Sequence, residues 1–286
     1  MLLCCAKLKV DVNLSLRTIF MLLAIDIGNT NITLGLYEGQ TLGPRWRMAT
    51  SHYRMPDEYG ILLINLFQHA GTRVEDISGI IVASVVPPLT GTFEQACKDY
   101  IGRLPMVVGT ATKTGVNVKY DDPEQVGADR IVDAAAAYRL YGGPACIVDF
   151  GTATTFDAIS AAGDYLGGAI APGIRIAADA LFQRTAQLPK VDLHRPPSVI
   201  GRNTVHSIQS GLLFGYVGLV EGMVNRFRVE LGPGMKVIGT GGLAEVLARE
   251  TKVLEIIAPW LTLDGLRMIY ELNVSASDVP RPASKV

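Results

Sequence analysis

The amino-acid sequence predicts an α/β protein built from two related halves that face each other, and three observations predict it. First, an apolar run of strand length, Leu22–Ile25, ends at Asp26. Gly28 and small polar residues follow, and alternation resumes through Ile32, Leu34 and Leu36, which reads as strand, D-x-G turn, strand. Second, Cys146–Ile159 repeats that design with Asp149-Phe150-Gly151 and the hydroxyl-rich Thr152-Ala153-Thr154-Thr155. One supersecondary unit used twice, nearly half the chain apart, implies two halves of one ancestry. Third, β-branched runs alternate with helical stretches through the rest of the chain. Two ordinary hairpins with polar turns are the competing reading, because a lone D-x-G has little specificity. In each turn the glycine permits a bend that a Cβ would obstruct. Backbone N–H groups and the Asn and Thr side chains can then face an anion together. A carboxylate aimed bare at phosphate would repel it, so Asp26 is assigned to the metal side.

Each element follows in order. Thr41–Met48 is a further strand with Trp46 as a candidate core aromatic, and Asp57-Glu58 open a helix through Ile61–Phe67, where acids favour the helix dipole. Gly79–Val86 is a buried strand stopped by Pro87-Pro88. Leu89–Tyr100 is a helix, Pro105–Val108 a short strand, Gly115–Tyr120 another strand, and Asp121–Pro123 a turn. Gly127-Ala128-Asp129-Arg130 opens a helix whose apolar positions are Ile131, Ala135 and Tyr138. The bland account of that opening is a dipole-completing acid and an exposed arginine. After the second hairpin, Tyr165–Ile174 combines a strand with glycines that admit a close ligand. Ile176–Ala186 is a helix and Leu188–Val199 a Pro-rich loop. Gly201-Arg202-Asn203-Thr204 leads into a long helix through Glu230.

That helix carries an apolar stripe (Leu213, Val217, Val220, Val224, Phe227) and a glycine stripe (Gly211, Gly215, Gly218, Gly222). Interior glycines cost about 1 kcal/mol each against alanine, which calls for a compensating close approach. Packing inside the fold is favoured here over a dimer interface. Lys236–Ala244 matches the dinucleotide fingerprint G-x-G-x-x-A, with Glu255 after a second short strand. Too few residues remain for a dinucleotide fold, so a turn carrying the adenosine of a nucleotide is the better reading. Leu261–Leu272 is a closing helix.

Bulk properties narrow the function. The 286 residues, 49% hydrophobic and 19% charged, exclude a disordered chain and allow one large or two medium domains. The net charge of −1 without a basic run argues against nucleic acid or an acidic membrane surface as partner. No run of about 18 apolar residues predicts a membrane-spanning helix. Cys4, Cys5, Cys97 and Cys146 lack zinc spacing, and His52, His69, His194 and His206 form no H-x-x-x-H pair, so free thiols in a reducing cytoplasm are expected. Lys7, Lys9, Asp11 and Arg17 interrupt residues 1–20, which read as a non-core extension and not a signal peptide. The domains are then 21–126 and 127–273, the closing helix 261–272 being free to pack on the first, with a polar tail over 274–286.

No P-loop and no protein-kinase set is present. Two D-x-G turns, a Gly-Thr-Gly-Gly turn and an acid at a helix start suit a nucleoside triphosphate held in a cleft. Phosphoryl transfer needs backbone donors, a metal-binding carboxylate and an acid for the acceptor hydroxyl. In motif order and spacing from Met21 to about Asn273 the chain resembles the type III pantothenate kinases, within the superfamily of acetate and sugar kinases, Hsc70 and actin. The motifs are Asp26–Thr30, Gly127–Arg130, Asp149–Thr154, Gly168–Gly173 and Gly201–Thr204.

The resemblance implies two ribonuclease H-like domains in an actin-like ATPase fold, and phosphorylation of pantothenate by ATP as the first step of coenzyme A biosynthesis. It implies that Asp26, Ile27, Gly28, Asn29, Thr30, Asn31, Ile32 and Thr33 cradle the ATP phosphates, with Asp26 on the Mg²⁺ side, and that Thr152 contacts ATP. Tyr120, Gly127, Ala128, Asp129, Arg130 and Thr204 would contact pantothenate, with Asp129 as proton acceptor. Asp149 would bind K⁺ or NH₄⁺, and the protein would be a homodimer. Many members carry an aromatic residue where Ile131 stands here. A kinase of another small alcohol and a non-catalytic regulatory relative are the alternatives. The presence of Asp26, Asp129 and Asp149 together favours the enzyme.

Overall fold

A computed structural model of the chain describes residues 21–274; the expected extension over 1–20 and the tail beyond 274 lie outside the described residues. The first hairpin is β1 (Met21–Ile27) and β2 (Asn31–Glu38), antiparallel, with β3 (Thr41–Ala49) antiparallel to β2. After α1 (Pro56–His69), β4 (Ile77–Ser84) runs parallel to β1 on its other side. After α2 (Pro87–Ala96), β5 (Met106–Val107) joins β4 in parallel. The chain then enters α3 (Ala128–Tyr141) and the second hairpin, β6 (Ala145–Phe150) and β7 (Ala153–Ile159), with β8 (Tyr165–Pro172) antiparallel to β7. After α4 (Ile174–Gln183) and α5 (Thr204–Leu231), β9 (Lys236–Thr240) pairs parallel with β6. Beyond α6 (Ala244–Ala248), β10 (Ile256–Ile257) pairs parallel with β9, and α7 (Leu261–Asn273) closes.

The sheets therefore run β3-β2-β1-β4-β5 and β8-β7-β6-β9-β10, one strand order used twice. This is the duplicated, two-sheet α/β architecture expected. Local chemistry sets the helix starts. Pro56 opens α1, with Asp57 and Glu58 in its first turn and a Glu58 carboxylate oxygen accepting the Met55 N–H at 2.8 Å. Pro87 and Pro88 end β4 and also form the first turn of α2, where a missing N–H is harmless. Asn203 caps α5 by accepting the His206 N–H at 2.8 Å.

One core joins the first sheet to α1 and α2, and a second joins the second sheet to α5. α3 sits between. Val132 and Ala135 pack with Leu22, Ala24, Ile81 and the α7 residues Leu263, Leu266 and Ile269, whereas Ala134, Ala136 and Ala137 pack with Ile147, Ile159 and Ile238. The expected Ile131/Ala135/Tyr138 stripe is thus too narrow: Val132–Ala137 is buried on every side because both halves cover it.

Other expectations are corrected as well. Gly115–Tyr120 is not a strand. Only Val118 bridges to Tyr165, because Gly115 adopts a positive φ of 75° and Asn117 is drawn aside to Asp164. α2 begins at Pro87 and ends at Ala96 in a wide turn over Cys97–Ile101. α4 covers 174–183, ending earlier than expected, and Glu255 precedes β10 and pairs with Arg228. α5, 28 residues long, holds an 18-residue window of mean hydropathy 1.2, enough to cross a membrane by length and composition alone. Here Ile208, Leu212, Leu213, Tyr216, Val220 and Val224 seat it in the second core. Its glycine stripe is not packed inside the fold. A Cβ at Gly211, Gly215 or Gly218 would meet nothing within 4 Å.

Candidate active site

The two D-x-G turns meet. The Thr30 and Thr152 hydroxyls are hydrogen-bonded at 2.7 Å across 122 residues of sequence, closing the floor of a cleft of about 680 Å³. Strand pairing sets each acid at the mouth of its turn: Asp26 stands opposite Thr33, and Asp149 opposite Thr155. In the first turn the Gly28 N–H donates to the Asn31 carbonyl at 3.0 Å, and in the second the Gly151 N–H donates to the Ala153 carbonyl at 3.0 Å. Thr50 braces the first turn, its hydroxyl donating to the Gly28 carbonyl at 2.6 Å and its N–H to the Thr30 carbonyl at 2.9 Å. The third turn lies directly on the second. Gly241 has φ +86°, and a Cβ there would stand 2.2 Å from an Asp149 carboxylate oxygen. Gly173 likewise leaves no room for a side chain over the Thr152 carbonyl.

Asp129 opens α3 into the same cleft. Gly127 is needed there, since a Cβ would lie 2.5 Å from the Asp129 carboxylate, and the Arg130 N–H donates to that carboxylate at 2.8 Å. Burial raises the Asp129 carboxyl above its ordinary range, opposed by the Arg130 N–H and the Arg130 charge. Burial, reinforced by the charges of Asp129 and Asp149, raises Asp26 further. Burial, with Asp129 and Asp157 adding, pushes Asp149 up to about 7. Each of the three acids is raised chiefly by burial, with neighbouring carboxylates adding to it at Asp26 and Asp149. A fourth acid escaped the sequence reading. Asp133, one helical turn beyond Asp129, is buried beneath the cleft, with one carboxylate oxygen lacking any hydrogen-bond partner. An aspartate inside the apolar run Ile131–Ala137 was the available signal.

Arg130 is not the exposed arginine of the bland reading. Its Nε donates to Asp157 at 2.7 Å, and its guanidinium lies 5.8 Å above the Tyr165 ring. The Tyr165 hydroxyl donates to the same Asp157 oxygen at 2.8 Å. Tyr120 also packs near Tyr165, ring centroids 6.4 Å apart. Gly167 and Gly168 leave the space these side chains use, a Cβ at Gly168 standing 2.8 Å from Arg130 Nη2. Asp157 and Tyr165 were not foreseen as site residues. Thr204 stands elsewhere: it opens α5 beside an apolar groove of about 560 Å³ between α4 and α5, which it lines with Gly211 and Gly215. This chain alone does not bring Thr204 to Asp129.

Two sheets of one topology, bringing paired D-x-G turns together at a cleft large enough for a nucleotide, define a nucleotide-cleft protein of the actin-like ATPase fold. Among solved structures the chain is similar to a Baf family protein of Campylobacter jejuni (TM-score 0.53, 20% identity, 88% of this chain and 97% of that one). It is also similar to an activator of 2-hydroxyisocaproyl-CoA dehydratase from Clostridium difficile with bound ADPNP (TM-score 0.50, 13% identity, 90% and 100%). In sequence it is 53% identical over 255 residues to the type III pantothenate kinase of Roseiflexus sp. (strain RS-1), spanning 89% of this chain and 100% of that one. The family model for type III pantothenate kinase matches residues 22–226. The chain belongs to the type III pantothenate kinase family.

Proposed function

We propose that the chain transfers the γ-phosphoryl group of ATP to the primary hydroxyl of pantothenate, giving 4'-phosphopantothenate, the first step of coenzyme A biosynthesis. The observation that carries this reading is the meeting of the two D-x-G turns, with Asp129 facing the cleft they floor. The Asp26–Thr33 turn and Thr152 hold the triphosphate, through the cleft-lining Asn29, Thr30, Asn31, Thr33 and Thr152, while Ile27 and Ile32 lie fully buried in the first core. Gly127, Ala128, Arg130 and Tyr120 are assigned to the acceptor, Arg130 and Tyr120 each standing beside Tyr165, although of the α3 start only Asp129 lines the cleft itself. Asp129 takes the hydroxyl proton as the acceptor oxygen bonds to the γ-phosphorus and the bond from that phosphorus to the β–γ bridging oxygen breaks, leaving ADP. Among the described residues no three Asp, Glu, His or Cys side chains converge as a metal cage. That suits Mg²⁺, which binds through one or two carboxylates plus substrate phosphates. When bound, Mg²⁺ neutralises phosphate charge, and Asp26 is the residue to hold it. Asp149 is assigned to K⁺ or NH₄⁺, because it is a half-buried, cleft-lining carboxylate without an ion-pair partner among the described residues, against a turn where Gly241 leaves it room.

Residues 21–126 and 127–273 are taken as the two domains, and the cytoplasm, where ATP and pantothenate meet, as the working compartment. The open glycine stripe of α5 and the groove beside it are taken as the contact face of a homodimer, where a neighbouring backbone would offset the helix penalty of about 1 kcal/mol per glycine. Asp129→Asn tests the reaction. It keeps the shape and removes the base, so kcat should fall by about 10²–10⁴ while ATP still binds. Because burial raises this carboxyl, the acid limb of kcat/KM should lie above the pH at which a free aspartate titrates, about 3.9. A variant with native kcat rejects Asp129 as the base.

A further inference from the structure

The two halves share a strand order, so matched positions can be compared directly, and one pair differs in charge. In the first sheet Asp26 stands opposite Thr33 and Thr33 opposite Arg47, a row across β1, β2 and β3. Directly paired residues project from the same face, and all three line the cleft. In the second sheet the matching row is Asp149, Thr155 and Ile170. The acid and the threonine are repeated, and the third position is an arginine in one half and an exposed isoleucine in the other.

Arg47 also touches the opposite half. Its guanidinium lies 5.7 Å from the Trp260 ring, which Arg45 covers at 4.9 Å, and its Nη1 would stand only 3.3 Å from a Cβ at Gly242 in the third glycine turn. The aromatic face orients the planar fork without neutralising it. Among the described residues Arg47 makes no ion pair, whereas Arg130 is already held by Asp157. The cleft is lined by Asp26, Asp129, Asp149 and Asp179, with only Arg47 and Arg175 as cations, an acidic balance ill suited to a triphosphate unless those arginines face it.

We propose that Arg47, steadied by Trp260, is a phosphate-binding residue that grips the nucleotide from the first half while seated against the second. The inference rests on the nucleotide occupying the cleft as read above. Its chemistry is a bidentate guanidinium on non-bridging phosphate oxygens. It also makes the first half the one that carries phosphate charge, and leaves the Asp149 row to the cation.

The test is steady-state kinetics of Arg47→Gln and Arg47→Lys, with each substrate varied in turn. Hydrogen exchange of the native chain and of both variants is followed with and without a non-hydrolysable ATP analogue and Mg²⁺. Arg47 is exposed on an edge strand, so both variants should fold with native exchange in the two cores. Arg47→Gln should raise KM for ATP at least tenfold, or lower kcat by a similar factor, with KM for pantothenate unchanged. Arg47→Lys, keeping charge without the fork, should fall between. Native constants in Arg47→Gln, or equal rises in both KM values, overturn the assignment. The control is the Gly28–Thr33 turn of the native chain. If the analogue protects it, the cleft reading stands whatever Arg47 does, and absence of that protection sinks the cleft reading and this inference with it.

Discussion

Asp157→Asn removes the counter-charge of Arg130 and so reads the pocket's rigidity through both stability and substrate binding. Asp157 is 1% exposed. Its Oδ1 accepts from Arg130 Nε at 2.7 Å and from the Tyr165 hydroxyl at 2.8 Å, with Arg130 Nη2 at ion-pair distance, 2.7 Å, but making no hydrogen bond, and its Oδ2 accepts from the Thr155 hydroxyl at 3.1 Å. An amide of the same shape can keep its oxygen at the Oδ1 position and turn its NH₂ to the Thr155 hydroxyl, which can accept, so what is lost is the counter-charge, and the guanidinium is left without an ion-pair partner. Breaking a buried pair on one side costs about 3–5 kcal/mol. The lower end applies here, because the Arg130 side chain keeps 12% exposure and burial already lifts the Asp157 carboxyl above its ordinary range. About 3 kcal/mol lowers Tm by about 6–12 °C in a chain of this size. An Arg130 freed from Asp157 regains rotamer freedom that substrate must then remove, about 1.5–2 kcal/mol. That is about a tenfold rise, or somewhat more, in KM for pantothenate, with KM for ATP unchanged. Circular dichroism melts and two-substrate kinetics measure both. A Tm within about 2 °C of native, together with a native KM for pantothenate, would refute the account, since that shift corresponds to about 1 kcal/mol or less.

Two further outcomes follow from the site and the open helix face. Activity measured at constant ionic strength should require K⁺ or NH₄⁺ and be weak in Na⁺ alone; equal rates in the three salts remove the cation from Asp149. Gly215→Leu adds a side chain where the fold offers nothing within 4 Å. It should therefore keep the monomer's stability, helped by about 0.8–1 kcal/mol of helix propensity, while light scattering after size exclusion shows the dimer weakened. A dimer as tight as the native one would move the interface off α5.

The parts that were legible in the sequence are those whose cause is local. Both hairpins were readable because alternation, an acid and a glycine sit within a dozen residues, and α1, α3 and α5 because their first turns carry proline, acid or Asn203. Contacts made across distance were not. Nothing beside Arg130 in sequence announces Asp157, and nothing in the run around Arg47 announces Trp260. Val116, Val118 and Tyr120 alternate as a strand should, yet the fold uses them as single points against α3 and Tyr165, with one bridge to the start of β8 that does not extend. The glycine stripe of α5 was visible, but whether a stripe faces inward or outward depends on what arrives from elsewhere in the chain.

The position of α3 constrains how this molecule can move. Its middle is nearly all alanine, with Val132 the largest buried side chain, and it is gripped by the first sheet and α7 on one flank and by the second sheet on the other. Short side chains interlock little, so the two flanks form a smooth bearing. If the halves rotate against each other when ligands enter, α3 is the natural axle, and points near an axle travel least. Asp129 stands at its end. The proton acceptor would then stay almost still while the phosphate-gripping turns swing towards it, and alignment for chemistry would be set by the arc of the nucleotide and not by the placement of the base.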